Sequence, residues 1–285
     1  VTAAVYDAFA LRYAALPEAE SRKSTAYFHY GIYGEPDAHY PMDYYFWLVR
    51  NQDRTVLVDC GYDRERGRRR NRLQETDPVE LLARMGTTPS EIDHVVLTHM
   101  HYDHVGNVGL FDNATFSMAA TEFDYWTGPY ADRPAIAWPV EAAEIALIEE
   151  RREDGRLRLI VDDDEELFPG IRLSRMPGHT PGQLVTSVDT AAGVVVLGSD
   201  ALHFYDEMIL DRPFHTCSDF VQTFGTYERF RSLADKPGIT LVAGHDPLVM
   251  TMFATVADQC VDLTVRTDGL AGTYGTRAVE TGVVT

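Results

Sequence analysis

Cysteine is scarce in this chain of 285 residues: there are three, Cys60, Cys217 and Cys260. They are odd in number, far apart and form no Cys-x-x-Cys pair. That excludes a disulfide framework and fits free thiols in a reducing compartment. No apolar run approaches the roughly 20 residues of a membrane-spanning helix, so no membrane partner is expected. The N-terminus, with Asp7 and Arg12 among small apolar residues, does not read as a signal peptide, and a cytoplasmic location is the expectation. Basic residues are outnumbered, 25 Lys and Arg against 44 Asp and Glu, for a net charge of -19. That balance argues against a nucleic-acid surface. No Pro, Gly or Ser linker, repeat, heptad or low-complexity tract divides the chain. With 45% hydrophobic residues it can bury a sizeable core, and a single domain over residues 1–285 is expected.

Histidine, by contrast, is concentrated. Thr98-His99-Met100-His101-Tyr102-Asp103-His104 places three of the ten histidines and an aspartate within seven residues. The run follows His94-Val95-Val96-Leu97, which reads as a buried strand, and precedes Val105-Gly106-Asn107, a turn toward a helix. Alternate residues of an extended segment point the same way. His99 and His101 can therefore grip one ion, while Asp103 and His104 turn toward a second. Imidazole and carboxylate together suit zinc first, with iron, manganese or cobalt also matched to the donors.

Strands are expected at 44–50, 55–59, 170–176, 184–188, 194–197 and 239–243, with turns at Asn51-Gln52-Asp53 and Ala192-Gly193. Asp77 as N-cap, Pro78 at N1 and Glu80 at N3 start a helix that ends near Gly86. Residues 139–153 read as a helix. So do Ser218 to Ala234, with Phe220, Val221, Phe224, Tyr227 and Phe230 or Arg231 along one side. The acidic run from Asp162 to Glu166 reads as a solvated turn. The basic run from Arg64 to Arg72 reads as a solvated loop or as a contact for an anionic substrate group or partner subunit. Tyr27, Phe28, Tyr30, Tyr33, Tyr40, Tyr44, Tyr45, Phe46 and Trp47 crowd a short stretch. Some belong to strand core, and the loop Gly31 to Pro41 offers others to an apolar pocket over the metals. His29, His39 and His215 are loop histidines expected to lie at the surface or behind the ligands.

Three later residues also sit just past strands. Pro177-Gly178-His179-Thr180-Pro181-Gly182 holds a histidine between glycines and prolines, Asp200 follows 194–197, and His245 follows 239–243. With the first motif they complete a set of seven ligands. Asp59, ending another strand, is expected to accept a hydrogen bond from a ligating histidine.

His-x-His-x-Asp-His, then Pro-Gly-His-Thr-Pro-Gly, then a strand-end Asp, then Gly-His-Asp, resembles the ordered signature of the metallo-β-lactamase superfamily. The likeness runs from about Tyr44 to His245, with Val58-Asp59-Cys60-Gly61 where many members carry Asp-Thr-Gly. The resemblance implies an α/β fold, an αββα sandwich of two mixed β-sheets flanked by helices, with metals at one edge between the sheets. It implies two divalent ions: His99, His101 and His179 on one, Asp103, His104 and His245 on the other, and Asp200 bridging. Two ions about 3.5–4 Å apart share a water and lower its pKa toward hydroxide near neutral pH. Asp103 is a candidate for orienting that nucleophile.

Within the superfamily, the chain looks like the N-acyl homoserine lactonase-like branch. Class B1 β-lactamases carry a cysteine where Asp200 stands, and flavodiiron proteins a glutamate in place of the second histidine of the first motif. The resemblance implies opening of a lactone or similar cyclic ester, and a homodimer as the assembly. Members of the branch commonly carry a tyrosine three residues after the bridging aspartate. Here that position is His203, in Asp200-Ala201-Leu202-His203-Phe204-Tyr205. His203 is therefore a candidate donor to the substrate, and Tyr205 a second candidate if the loop differs. An organophosphate or carboxyl-ester hydrolase is the alternative use of the same hydroxide. A mononuclear iron enzyme resembling persulfide dioxygenases is the alternative of another class.

Overall fold

The computed structural model describes residues 4–267. The expected single domain, 1–285, therefore extends past the described residues. Two mixed sheets face each other, and helices cover their outer faces, giving an αββα sandwich. The chain first builds most of the larger sheet: β1 (Asp7–Ala15), β2 (Asp43–Arg50), β3 (Thr55–Val58), β4 (Leu73–Gln74), β5 (His94–Val96), β6 (Thr115–Ala119) and β7 (Leu157–Ile160). It then crosses to the smaller sheet: β8 (Asp164–Phe168), β9 (Ile171–Arg175), β10 (Leu184–Thr190), β11 (Gly193–Leu197) and β12 (Ile239–Val242). Finally β13 (Phe253–Ala257) and β14 (Cys260–Arg266) return to the larger sheet beside β1.

The pleat explains why β2 is apolar throughout. Tyr44, Phe46 and Leu48 point to a core shared with the outer helices, whereas Tyr45, Trp47 and Val49 point to the core between the sheets. β3, β5, β6 and β7 run parallel, as do β11 and β12. The carboxyl ends of β3, β5, β11 and β12 carry Asp59, the His99–His104 run, Asp200 and His245, so the parallel pairing brings these motifs to one edge.

Local signals largely place the elements. The Asp77 side chain accepts from the Val79 N–H and caps a helix over Pro78–Arg84. Three expectations need correction. The acidic run is only partly a turn: Asp162 and Asp163 form an exposed bend, but Asp164–Phe168 pairs antiparallel with β9, and Leu167 is buried while Asp164 and Glu166 face solvent. It is an edge strand, where charge blocks further pairing. The basic run is not a loop: Arg64–Arg69 is a helix capped by Asp63, which accepts from the Arg66 N–H. The helix Phe220–Ala234 buries Thr223, Thr226, Tyr227 and Phe230, while Val221 is 83% exposed. Its inner face begins one turn later than the aromatic spacing suggests. The cause is Gly178, whose backbone at φ +137 lies so close that an added Cβ would meet Thr223 at 2.3 Å. That approach turns the small threonines inward.

Candidate metal centre

The structure gathers the seven expected donors into two buried groups. One ligand atom from each of His99, His101, His179 and Asp200 lies within 4.8 Å of the others, and the same holds for Asp103, His104 and His245. Asp200 stands between the groups. Its Oδ2 is 3.3 Å from His179 Nε2 and 3.7 Å from His99 Nε2, while its Oδ1 is 3.1 Å from His104 Nε2 and 3.0 Å from His245 Nε2. His104 Nε2 is also 3.8 Å from Asp103 Oδ2, and His101 Nδ1 is 2.9 Å from His179 Nε2.

The far side of four rings fixes which nitrogen faces the centre. His104 Nδ1–H donates to Asp59 Oδ2 at 2.7 Å, His179 Nδ1–H to the Thr216 carbonyl at 2.9 Å, and His245 Nδ1–H to the Asp43 carbonyl at 2.7 Å. The Thr98 hydroxyl donates to Asp59 and so accepts from His99 Nδ1–H at 3.1 Å. Each neutral ring then presents an Nε2 lone pair inward. His99 Nε2 and His104 Nε2 are buried without a hydrogen-bond partner, and the Nε2 atoms of His104 and His245 face a carboxylate that is itself an acceptor. Converging acceptors of this kind fit a cation.

Charge points the same way. Burial pushes His99, His101 and His179 toward the neutral, ligand-competent form, His101 down to about 3. Burial also opposes charge on His104, but Asp200, Asp59 and Asp103 outweigh it and raise its pKa well above the usual histidine value.

Backbone strain accompanies the cluster. Asp59 at φ 60 and Ser199 at φ 43 both occupy the left-handed region, which costs on the order of 1–3 kcal/mol for a non-glycine residue. Both are held by a shared network: the Ser199 hydroxyl lies 2.9 Å from Thr98 Oγ1 and donates to Asp59 Oδ2 at 3.1 Å.

The two further candidates fare differently. The His203 ring is 1% exposed, its Nε2 3.1 Å from Asp200 Oδ2 and its Nδ1 3.1 Å from Glu207 Oε1. It stacks on Phe214 at 3.8 Å and does not line the large cavity. It touches Asp200 rather than the space open to a substrate. Tyr205 does not join the centre: its hydroxyl donates to the Leu241 carbonyl at 3.1 Å and accepts from the Ala243 N–H at 3.4 Å, deep between helix and sheet. It opens the helix Tyr205–Leu210, and that turn aims its ring at the inter-sheet core.

Glu122 and Glu207 have no motif to announce them. Glu122, fully buried, accepts from the Met100 N–H at 3.0 Å, Trp126 Nε1–H at 2.7 Å and the Gly182 N–H at 2.9 Å, tying the two histidine loops together. Its only local mark is a tryptophan four residues on. Glu207 accepts from Tyr227 and braces His203.

A cavity of about 660 Å³ opens onto His101, Asp103, His179 and Asp200, walled by Tyr40, Met42, Tyr44, Tyr102, Trp138 and Phe214. Of the expected aromatic loop only Tyr40 reaches it; Ser24 to Ala26 form the neighbouring wall. His215 lies at the cavity's exposed side, while His29 and His39 lie away from it.

The family model described as Metallo-beta-lactamase superfamily matches residues 40–245. The N-acyl homoserine lactonase AttM of Azorhizobium caulinodans is 28% identical over 175 residues, 57% of this chain and 61% of that protein. The chain thus spans about three fifths of that relative's length. Two solved structures share the fold. An N-acyl homoserine lactone hydrolase with N-hexanoyl-L-homoserine at its catalytic metal centre superposes with TM-score 0.67 at 19% identity, covering 88% of this chain and 98% of that one. A dizinc quorum-quenching lactonase, AidC, gives TM-score 0.65 at 19% identity, covering 87% of this chain and 90% of that one.

Proposed function

The chain belongs to the metallo-beta-lactamase superfamily, and from that premise we propose that it is a dinuclear metal-dependent hydrolase that opens a lactone or similar cyclic ester. His99, His101 and His179 would hold one divalent ion and Asp103, His104 and His245 the other, with Asp200 shared and zinc the expected metal. The observation that carries the reading is Asp200, whose two oxygens face separate groups of histidine nitrogens. When bound, two such ions supply a shared water acidified toward hydroxide and a positive charge to polarise an ester carbonyl.

The chain's own residues do the rest. Asp103 borders the cavity, where it would orient the attacking water beside the ester. Asp59 orients His104, and the His203 ring lies against Asp200. Tyr40, Met42, Trp138 and Phe214 would give the ester apolar walls. The lactonase reading also draws on the relatives, whose names refer to acyl homoserine lactones.

The test is metal analysis of the purified protein coupled to a screen of lactones, carboxyl esters and phosphotriesters. Two ions per chain and ring opening of a lactone are expected. A single iron with oxygen uptake would overturn the hydrolytic reading, and turnover confined to phosphotriesters would overturn the lactonase reading.

A further inference from the structure

The hydrolytic reading leaves the basic run Arg64 to Arg72 without a role, and the structure separates its members. Arg66 is committed to Asp63 and to buried Glu144, and Arg69 to Glu65 and Glu141. Arg70 reaches the cavity wall, but its donors are taken. Nε bonds Glu141 at 2.9 Å, Nη1 the Trp138 carbonyl at 2.9 Å and Nη2 the Val140 carbonyl at 3.3 Å, and the guanidinium lies 4.1 Å over the Tyr102 ring.

Arg72 is different. It lines the same cavity as Asp103 and Asp200, and its side chain is only 25% exposed. Glu20 and the carbonyls of Arg70 and Asn71 all use Nη1, whereas Nε is buried with no hydrogen-bond partner. The phenols of Tyr44 and Tyr102 are hydrogen-bonded to the guanidinium, and both also feel the Asp103 carboxylate. Three proton donors therefore share one wall of the cavity near the metal ligands. Leu16, Met42, Trp138 and Phe214 make much of the remainder apolar. A neutral acyl lactone would bring this guanidinium no charged acceptor beyond Glu20. A carboxylate offers the planar, charged acceptor that a guanidinium binds best.

We propose that Arg72, flanked by Tyr44 and Tyr102, binds a carboxylate of the substrate, so that the ester opened by this centre is a lactone bearing a carboxylate on or near its ring. The inference rests on the lactonase reading above for the ring, and on Arg72 for the carboxylate. Glu20 is then a built-in competitor that holds the guanidinium while the cavity is empty.

Two pairs of probes separate these elements in the metal-loaded protein. The first is a five-membered lactone with a ring carboxylate and its carboxamide, compared by kcat/KM. The second is the corresponding cyclic ether carboxylate and carboxamide, which cannot be opened, compared by calorimetry. The carboxylate should be favoured about tenfold or more in both pairs, the scale of one charge-assisted hydrogen bond. Arg72→Gln should abolish the preference, Arg72→Lys should restore part of it, and Glu20→Gln should increase it. Equal binding of the two ethers would overturn the proposal. So would a preference that survives Arg72→Gln, which would place the carboxylate on the metals. A Glu20→Gln protein with an unchanged preference would also count against it, and that test stands even if Arg72→Gln fails to fold. If the ethers show an Arg72-dependent preference but no lactone is opened, the carboxylate site stands and the lactonase reading falls.

Discussion

The orientation of four of the ligand imidazoles depends on an acceptor behind the ring, and those acceptors differ in how readable they are. Asp59 is legible because it ends an apolar strand, the position of the other ligands. The Asp43 and Thr216 carbonyls that hold His245 and His179 are main-chain atoms, and no residue type marks them. Asp59→Asn would keep the volume but leave an amide against His104 Nδ1–H. The expected outcome is a loss of about 10–100-fold in affinity for one of two metal ions, read by titrating chelator-stripped protein. Undiminished affinity for both ions would remove Asp59 from the account. Tyr205 makes the complementary case. Its place near Asp200 in sequence suggests chemistry, but the intervening turn sends the ring into the core. Tyr205→Phe should cost about 1–3 kcal/mol of stability through its two lost hydrogen bonds, measured by urea unfolding, with kcat/KM little changed. A large fall in kcat/KM in a stable protein would restore Tyr205 to the site.

At the scale of elements, the strand-end motifs are legible because parallel strands deliver their carboxyl ends to one edge, so separate short motifs predict a shared location. Capping at Asp77 is legible because the Asp-Pro-x-Glu pattern is local. What ties the motifs together is not, because the ties are long-range. Glu122 lies 22 residues from Met100 and 60 from Gly182, distances that carry no period. The acidic edge strand β8 misleads for a related reason: pairing with β9 overrides the low strand preference of Asp and Glu. Glu122 also explains Gly182, where an added Cβ would meet the Glu122 backbone nitrogen at 2.3 Å. Glu122→Gln must turn an NH₂ toward one of three N–H donors. The expected cost is about 1–3 kcal/mol, together with faster hydrogen exchange at the Met100 or Gly182 amide. Exchange unchanged at both amides would show that the loops are held by other means.

For the whole molecule, the centre lies where the two sheets meet, and its donors come from both. His99, His101, Asp103 and His104 follow β5 of the larger sheet, while His179, Asp200 and His245 follow β9, β11 and β12 of the smaller one. Bound ions would therefore link the sheets as well as the loops. They would also add positive charge, in a chain of net charge -19, where Asp59, Asp103 and Asp200 converge on His104. A ligand that binds only the folded state at about 100 times its Kd stabilises by about 2.7 kcal/mol. In a protein of this size that corresponds to a fall in Tm of about 4–5 °C when it is removed. Chelation should thus lower Tm by that order, and refilling with zinc should restore it. The shift should be largest at low ionic strength, where the carboxylates are least screened. His245→Ala should shrink the shift, because the smaller sheet then loses one of its three ligands. A chelated protein that melts at the same temperature as the refilled one would mean that the two groups of donors do not share metal across the sheets, and the dinuclear reading would fail with it.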